Sequence, residues 1–217
     1  MVHLFRDAAK SEARDSARSE KKHLPIQPIY TYGADVLRKK AKPVNEVSDE
    51  IIKLIYDMME TMRNAGGLGF AANQVGILER VIVVDISGVQ EDEGENLRLV
   101  RNEPKKLVLI NPEVLHADGN WTMEEGCLSI PDVRDEVARP ERIRLRYKDA
   151  NFQNAELECS GLLGRVVLHE IDHIDGILFL DHLSKSELIK HKEQLDRIRR
   201  GEIEVAYPIA TAEAVDG

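Results

Sequence analysis

Residues 162–173 read LLGRVVLHEIDH, which places His169 and His173 four positions apart with Glu170 between them. On an α-helix, residues at this spacing lie on the same face, with Cβ atoms about 5–6 Å apart. Two imidazoles so placed can chelate one metal ion, and Glu170 can reach a water bound to that ion. The stretch therefore predicts a helix that holds a metal.

Two neighbouring stripes of this helix carry its apolar residues together with both histidines. The stripes consist of Leu162, Val166, His169 and His173, and of Leu163, Val167, Glu170 and Ile174. A buried imidazole needs a polar partner, and a shared metal ion would satisfy both rings. Two core histidines with separate hydrogen bonds are the weaker alternative.

A metal site of this kind needs a third protein ligand. Glu187 or Glu193 would suit the downstream glutamate of a thermolysin-like enzyme, whereas position 179, where a metzincin-like histidine would fall, is Phe179. Upstream, Cys127 lies beside a glycine. A thiolate and two imidazoles leave one coordination position open, which is the pattern of catalytic rather than structural zinc sites.

Three motifs occur in a fixed order along the chain. They are Gly67-Leu68-Gly69-Phe70-Ala71-Ala72-Asn73-Gln74, Glu125-Gly126-Cys127-Leu128-Ser129 and His169-Glu170-Ile171-Asp172-His173. Together they resemble the motifs of the peptide deformylases, and the resemblance extends from about Ile29 to about Leu183. Leu168 departs from the family, which usually has glutamine there; the position is not a ligand, so the change concerns helix packing more than chemistry.

The resemblance implies a hydrolase that removes the formyl group from N-formylmethionyl nascent polypeptides and releases formate. Cys127, His169 and His173 would hold one divalent ion. Fe(II) is the expected physiological ion, and zinc, nickel or cobalt can substitute because affinity alone does not select among them.

The catalytic roles implied by the resemblance fall on three further residues. Glu170 would act first as general base and then as general acid. The side-chain amide of Gln74 and the backbone N–H of Leu128 would stabilise the oxyanion that forms on the formyl carbonyl.

The resemblance also implies where the substrate lies. The extended peptide would pair with backbone near Leu68 and Gly126, and Gly69 would permit close approach. Leu162 would line the methionine pocket. Arg134 matches an arginine of the substrate cleft in relatives, with a solvated loop charge as an equal alternative.

Two other classes of protein compete with this interpretation. A zinc endopeptidase could use the same helix, and it would cut internal amide bonds without releasing formate. A non-catalytic homologue could serve as a binding module, although retention of Gln74, Cys127, Glu170 and both histidines argues against a decayed site.

The composition narrows the remaining possibilities. A chain of 217 residues is long enough for one sizeable domain. No apolar run approaches the roughly 20 residues that span a bilayer, and a net charge of −9 argues against a general nucleic-acid binder. We expect neither a membrane partner nor specific DNA binding. Two cysteines, one of them a proposed ligand, suit a reducing cytoplasm.

We expect three segments along the chain. Residues 1–24 read as a flexible extension whose acidic residues count against a transit peptide without excluding organelle import. Residues 25–207 form the catalytic domain, and 208–217 form a flexible tail.

The predicted fold class is α+β, with antiparallel strands wrapped around the central metal-binding helix and a C-terminal helix. Ser48 is expected to cap a helix that ends at Gly66-Gly67. The predicted strands are Val81–Ile86, Leu107–Ile110, Ile143–Tyr147 and Ala155–Cys159, with a surface excursion over Ser87–Lys106.

The C-terminal helix, from about Ser184 to Arg200, allows two roles. From Lys185 to Arg200 it carries six basic residues against three acidic ones, which suits docking to the ribosome. The alternative is an amphipathic helix that packs Leu188 and Leu195 on the core.

Overall fold

Antiparallel strands and three α-helices build the fold of the computed structural model, which describes residues 26–89 and 98–211. The described strands are β1 (Ile29–Tyr30), β2 (Gly69–Ala71), β3 (Val81–Asp85), β4 (Lys106–Asp118), β5 (Trp121–Cys127), β6 (Ile130–Arg139), β7 (Arg142–Lys148), β8 (Asn154–Ser160) and β9 (Ile209–Ala210). The α-helices are α1 (Asp49–Asn64), α2 (Gly161–Ile174) and α3 (Lys185–Arg199). The predicted extension, 1–24, lies outside the described residues.

The strands form one five-stranded sheet and two smaller pairs. The large sheet has the order β2-β3-β4-β7-β8 and is antiparallel throughout. Strands β5 and β6 form a separate antiparallel hairpin, and β1 pairs in parallel with β9. The sheet and the hairpin surround α2, which confirms the predicted α+β class.

Alternation along β3 places a helix on each face of the large sheet. Ile82 and Val84 pack in the same core cluster as the apolar residues of α2, whereas Val81 and Val83 pack with those of α1. Because successive side chains of a strand point to opposite faces, this near-continuous apolar run reads as a strand buried on both sides. Helix α2 is therefore held in the interior rather than on the surface.

The α1 and α2 helices form where the sequence predicts them. The Ser48 hydroxyl accepts the Ile51 N–H at 3.4 Å and caps α1. Met58 and Met62 of α1 are fully buried, as expected of core residues. Helix α2 ends where Gly176 adopts a φ of 79°, a left-handed conformation that glycine tolerates best.

Strand β4 is longer than predicted and the hairpin β5–β6 was not predicted. β4 continues past Ile110 through a bulge at Asn111, whose φ is 53° and whose side chain bonds both the N–H and the C=O of Val44. Pro112 has no N–H to donate to the ladder, and its place next to this bulge is one where a strand tolerates proline. The charged residues of β5 and β6 mask the apolar pattern by which a strand is recognised in a sequence. These two strands are therefore identified only by their pairing in the structure.

The C-terminal helix packs on the hairpin. Leu195 and Ile198 of α3 are buried in one cluster with Val133 and Val137 of β6, and Leu188 packs against that cluster. The packed face predicted for this helix is confirmed. The tail is different from the prediction, because Ile209 and Ala210 pair with β1 instead of remaining free.

None of the helices within residues 26–89 and 98–211 is both long enough and apolar enough to cross a membrane.

Candidate metal centre and active site

One group of metal-ligating side chains stands out among the described residues. Cys127 Sγ at the end of β5 and ring nitrogens of His169 and His173 on α2 all lie within 4.8 Å of one another. Cys127 Sγ and His173 Nε2 are 3.1 Å apart. The structure therefore brings together the three side chains that the motifs indicated, from elements more than 40 residues apart in sequence.

The alternative third ligands do not join this group. Glu187 accepts the Ser184 N–H at 2.7 Å and caps α3, and Glu193 is exposed on the same helix. Cys159 is buried in the core, and burial raises the pKa of its thiol to about 12, as expected of a packed thiol. Phe179 lies at 6.2 Å from the His169 ring, stacked on it.

Hydrogen bonding fixes which nitrogen of His169 is free. Its Nδ1–H donates to Glu125 Oε2 at 2.9 Å, so Nε2 carries the lone pair that faces Cys127 and His173. A carboxylate behind a histidine ligand orients the ring and raises its basicity. With a soft thiolate and two imidazoles in reach of one point, the donor set fits a divalent transition metal.

Glu125 is held in place by two buried arginines. Arg139 donates to both carboxylate oxygens, at 2.6 and 3.0 Å, and Arg165 donates to Oε1 at 2.9 Å. All three side chains are 5% exposed or less. Burial opposes ionisation, but the bonds from His169 and Arg139 outweigh it and hold the pKa of Glu125 well below its usual range.

The network extends outward through Asp172. Arg139 Nη1 donates to Asp172 Oδ2 at 2.6 Å, and His182 Nε2 lies 2.7 Å from the same oxygen. Asp172 is thus joined to Glu125 through Arg139, while His182 is part of the network rather than an isolated surface residue. The neighbouring His173 accepts at its backbone C=O a bond of 2.5 Å from the Asn73 amide.

Unlike Glu125 and Asp172, Glu170 forms no ion pair within the described residues. It is 4% exposed, and its Oε2 has no hydrogen-bond partner in the described part of the chain. Burial raises its pKa to about 7. Gly69 makes room for it, because a Cβ on Gly69 would lie 2.6 Å from Glu170 Oε1. A carboxyl with such a pKa can both accept and release a proton near neutrality.

Gln74 presents its amide nitrogen to the metal group. Its Oε1 accepts the Ala71 N–H at 2.9 Å, which leaves Nε2 directed at Ser129 Oγ (3.1 Å) and Cys127 Sγ (3.7 Å). Because the oxygen is already engaged, the side chain has one orientation, with the donor toward the site. Such a fixed donor is what oxyanion stabilisation requires.

A cleft of about 580 Å³ opens onto the metal group. Every residue that the resemblance assigned to catalysis or substrate binding lines it: Leu68, Gly69, Gln74, Gly126, Leu128, Arg134, Leu162 and Glu170. Arg134 lies at the mouth, with 67% of its side chain exposed and its nitrogen 3.8 Å from Glu124. The placement satisfies both interpretations of Arg134, since it borders the cleft and is also solvated.

Sequence reasoning missed Arg139, Arg165, Ser129 and Tyr207. Arg165 stood four positions before His169 on an apolar helix, a spacing that could have indicated a buried partner for a ligand. Arg139 gave no local signal because it belongs to the hairpin that was not predicted. Tyr207 reaches the site from beyond α3, and its hydroxyl donates to Leu128 C=O at 2.8 Å.

Comparison with known proteins agrees with this geometry. The family model described as polypeptide deformylase matches residues 26–188. A peptide deformylase of Salinibacter ruber is 46% identical over 190 residues, which cover 86% of this chain and 95% of that relative.

Solved structures of the same family share the fold. The peptide deformylase of Legionella pneumophila has a TM-score of 0.71 and 35% identity, covering 82% of this chain and 98% of that one. The enzyme of Thermus thermophilus has a TM-score of 0.70 and 37% identity, covering 82% and 100%. On this sequence similarity and shared fold, the chain belongs to the polypeptide deformylase family, metal-dependent hydrolases that remove the N-formyl group from nascent peptides.

Proposed function

We propose that Cys127, His169 and His173 hold the catalytic ion of this deformylase and that Glu170 carries its protons. The clustering of the three donor atoms within 4.8 Å of one another is the observation that carries the assignment. The buried, unpartnered oxygen of Glu170 supports its separate role. Fe(II) is the proposed physiological ion, with zinc, nickel or cobalt able to replace it.

A divalent ion in this site supplies Lewis-acid polarisation and a nucleophile at neutral pH. Glu170 accepts a proton from the attacking water and delivers it to the departing amine nitrogen as the carbon–nitrogen bond breaks. Formate and a peptide with a free amino terminus result. Gln74 Nε2 and the Leu128 N–H donate to the carbonyl oxygen as it gains negative charge.

The substrate is proposed to lie extended in the 580 Å³ cleft. Backbone near Leu68 and Gly126 would pair with it in the manner of an added strand, and Gly69 allows the close approach. Leu162 would contact the methionine side chain. Arg134, at the mouth, would meet residues further along the peptide.

Product analysis separates this function from a zinc endopeptidase. Incubated anaerobically with Fe(II) and a formyl-Met peptide, the protein should release formate in equal amount to new amino termini and leave internal bonds intact. Cleavage of internal bonds without formate would indicate the endopeptidase. Absence of both products would indicate the non-catalytic homologue.

The proposed compartment is the cytoplasm, where nascent chains are made. The thiolate ligand assigned to Cys127 and the buried free thiol of Cys159 support a reducing environment.

Helix α3 is proposed to dock on the ribosome through its solvent-facing side. One side of the helix packs on the core through Leu195 and Ile198. The basic residues Lys190, Lys192 and Arg197 are exposed. A basic, exposed face on a chain of net charge −9 is suited to contact with RNA phosphates.

Neutralising Lys190, Lys192 and Arg197 to glutamine should weaken ribosome binding and lower its salt dependence. Each lost phosphate contact reduces the slope of log K against log salt by about one. Turnover of a short formyl peptide should stay the same. The matched control replaces three exposed arginines of β7: Arg142, Arg144 and Arg146. Equal binding and equal salt slopes for the two triple variants would remove the docking proposal.

A further inference from the structure

The chain after α3 returns to the cleft. Residues 204–207 line the cleft, and β9, which follows them, pairs with β1. The Ile29 N–H donates to Pro208 C=O at 2.9 Å, and the Thr31 N–H donates to Ala210 C=O at 3.0 Å. This cleft wall lies beyond residue 188, where the family match ends.

Tyr207 connects this wall to the turn that follows Cys127. Its hydroxyl donates to Leu128 C=O at 2.8 Å, and its ring packs in the cluster that includes Leu128. Burial raises the pKa of Tyr207 to about 12, so the hydroxyl keeps its proton throughout the neutral range. The bond therefore has a permanent donor.

Other contacts hold the same turn on either side of Leu128. The Tyr32 N–H donates to Ser129 C=O at 2.8 Å, and the Ser129 N–H approaches Cys127 Sγ at 3.4 Å. The Leu128 side chain lies against Gly67, where a Cβ would meet Leu128 Cδ1 at 2.8 Å. The Leu128 carbonyl itself accepts its hydrogen bond from the Tyr207 hydroxyl.

We propose that Tyr207 is a positioning residue for deformylation, which rests on the oxyanion role assigned above to the Leu128 N–H. The carbonyl that Tyr207 holds and the N–H that faces the substrate lie on adjoining peptide planes that share the Leu128 Cα. Restraining one plane limits rotation of the other. Donors that are already aimed at the developing charge cost no reorganisation during the reaction.

The Tyr207→Phe variant tests this proposal because it keeps the ring and removes only the hydroxyl. Full loss of an oxyanion donor costs about 10²–10³-fold in kcat, so a misaligned donor should cost about 10-fold. KM for a formyl-Met peptide and the metal content should stay close to wild type. Amide hydrogen exchange across residues 127–130 should become faster.

Tyr56→Phe is the matched control, since Tyr56 is 60% exposed on α1, away from the cleft. A chain ending after Ala206 should reproduce the kcat loss, whereas one ending after Thr211, which retains Tyr207 and β9, should not. If wild type releases formate and Tyr207→Phe matches it in both kcat and exchange, the positioning role is wrong. If wild type releases no formate, the failure lies in the proposed function instead.

Discussion

Glu170→Gln is expected to lower kcat by about 10²–10⁴-fold, the usual contribution of general acid–base catalysis. Glutamine keeps the shape of the buried side chain but cannot accept the proton of the attacking water. Since Glu170 is not among the clustered donor atoms, the ion should remain bound.

Formate release by the purified variant measures this effect, with Glu156→Gln, an exposed acid on β8, as the control. A Glu170→Gln protein that turns over at the wild-type rate would show that another group moves the protons.

Glu125→Gln should have the largest effect on stability. The substitution leaves Arg139 and Arg165, each under 5% exposed, without their shared carboxylate. Removing one partner of a buried ion pair costs about 3–5 kcal/mol in the free energy of unfolding. Loss of the carboxylate behind a histidine ligand should also weaken metal affinity by about 10–100-fold.

Denaturant unfolding and metal titration would measure both effects of the substitution. The neighbouring Glu124→Gln provides the control, because the Glu124 side chain is 63% exposed and its ion pair with Arg134 is long, at 3.8 Å. Exposed pairs contribute about 0–1 kcal/mol. Equal stability of the two variants would mean that the buried network does not support the metal helix.

The metal helix could be predicted because its signal is local. The apolar stripes through Leu163 and Val167, together with two histidines one turn apart, specify both the burial and the chemistry of α2. The same holds for α1, where Ser48 gives the start and Gly66 the end. Strands β3, β7 and β8 could also be predicted from the sequence. β3 is rich in β-branched residues, and β7 and β8 alternate apolar and polar residues with the period of two that a strand has.

The supporting network could not be predicted because its partners are distant in sequence. Glu125 lies on β5 and Arg139 on β6, and their side chains meet only once the two strands have paired. β5 carries Glu124 and Glu125, and half of β6 is charged, so neither strand has the apolar pattern that identifies one locally. Proline disfavours a strand, so Pro112 hides the continuation of β4 beyond Ile110, which passes through a bulge at this point. The position of Tyr207 depends on the pairing of β9 with β1. Each of these strands has two residues, which is too short for a strand pattern to show in the sequence.

Metal content, measured side by side in Glu170→Gln and Cys127→Ser after anaerobic purification, tests the central claim most directly. Serine is a poor ligand for a soft transition metal, so Cys127→Ser should lose most of its ion. Glu170→Gln should keep about one ion per chain, as expected of a residue that moves protons without coordinating the ion. Full occupancy in Cys127→Ser, or loss of the ion from Glu170→Gln, would contradict the assignment of Cys127, His169 and His173 as the ligands and Glu170 as the proton carrier.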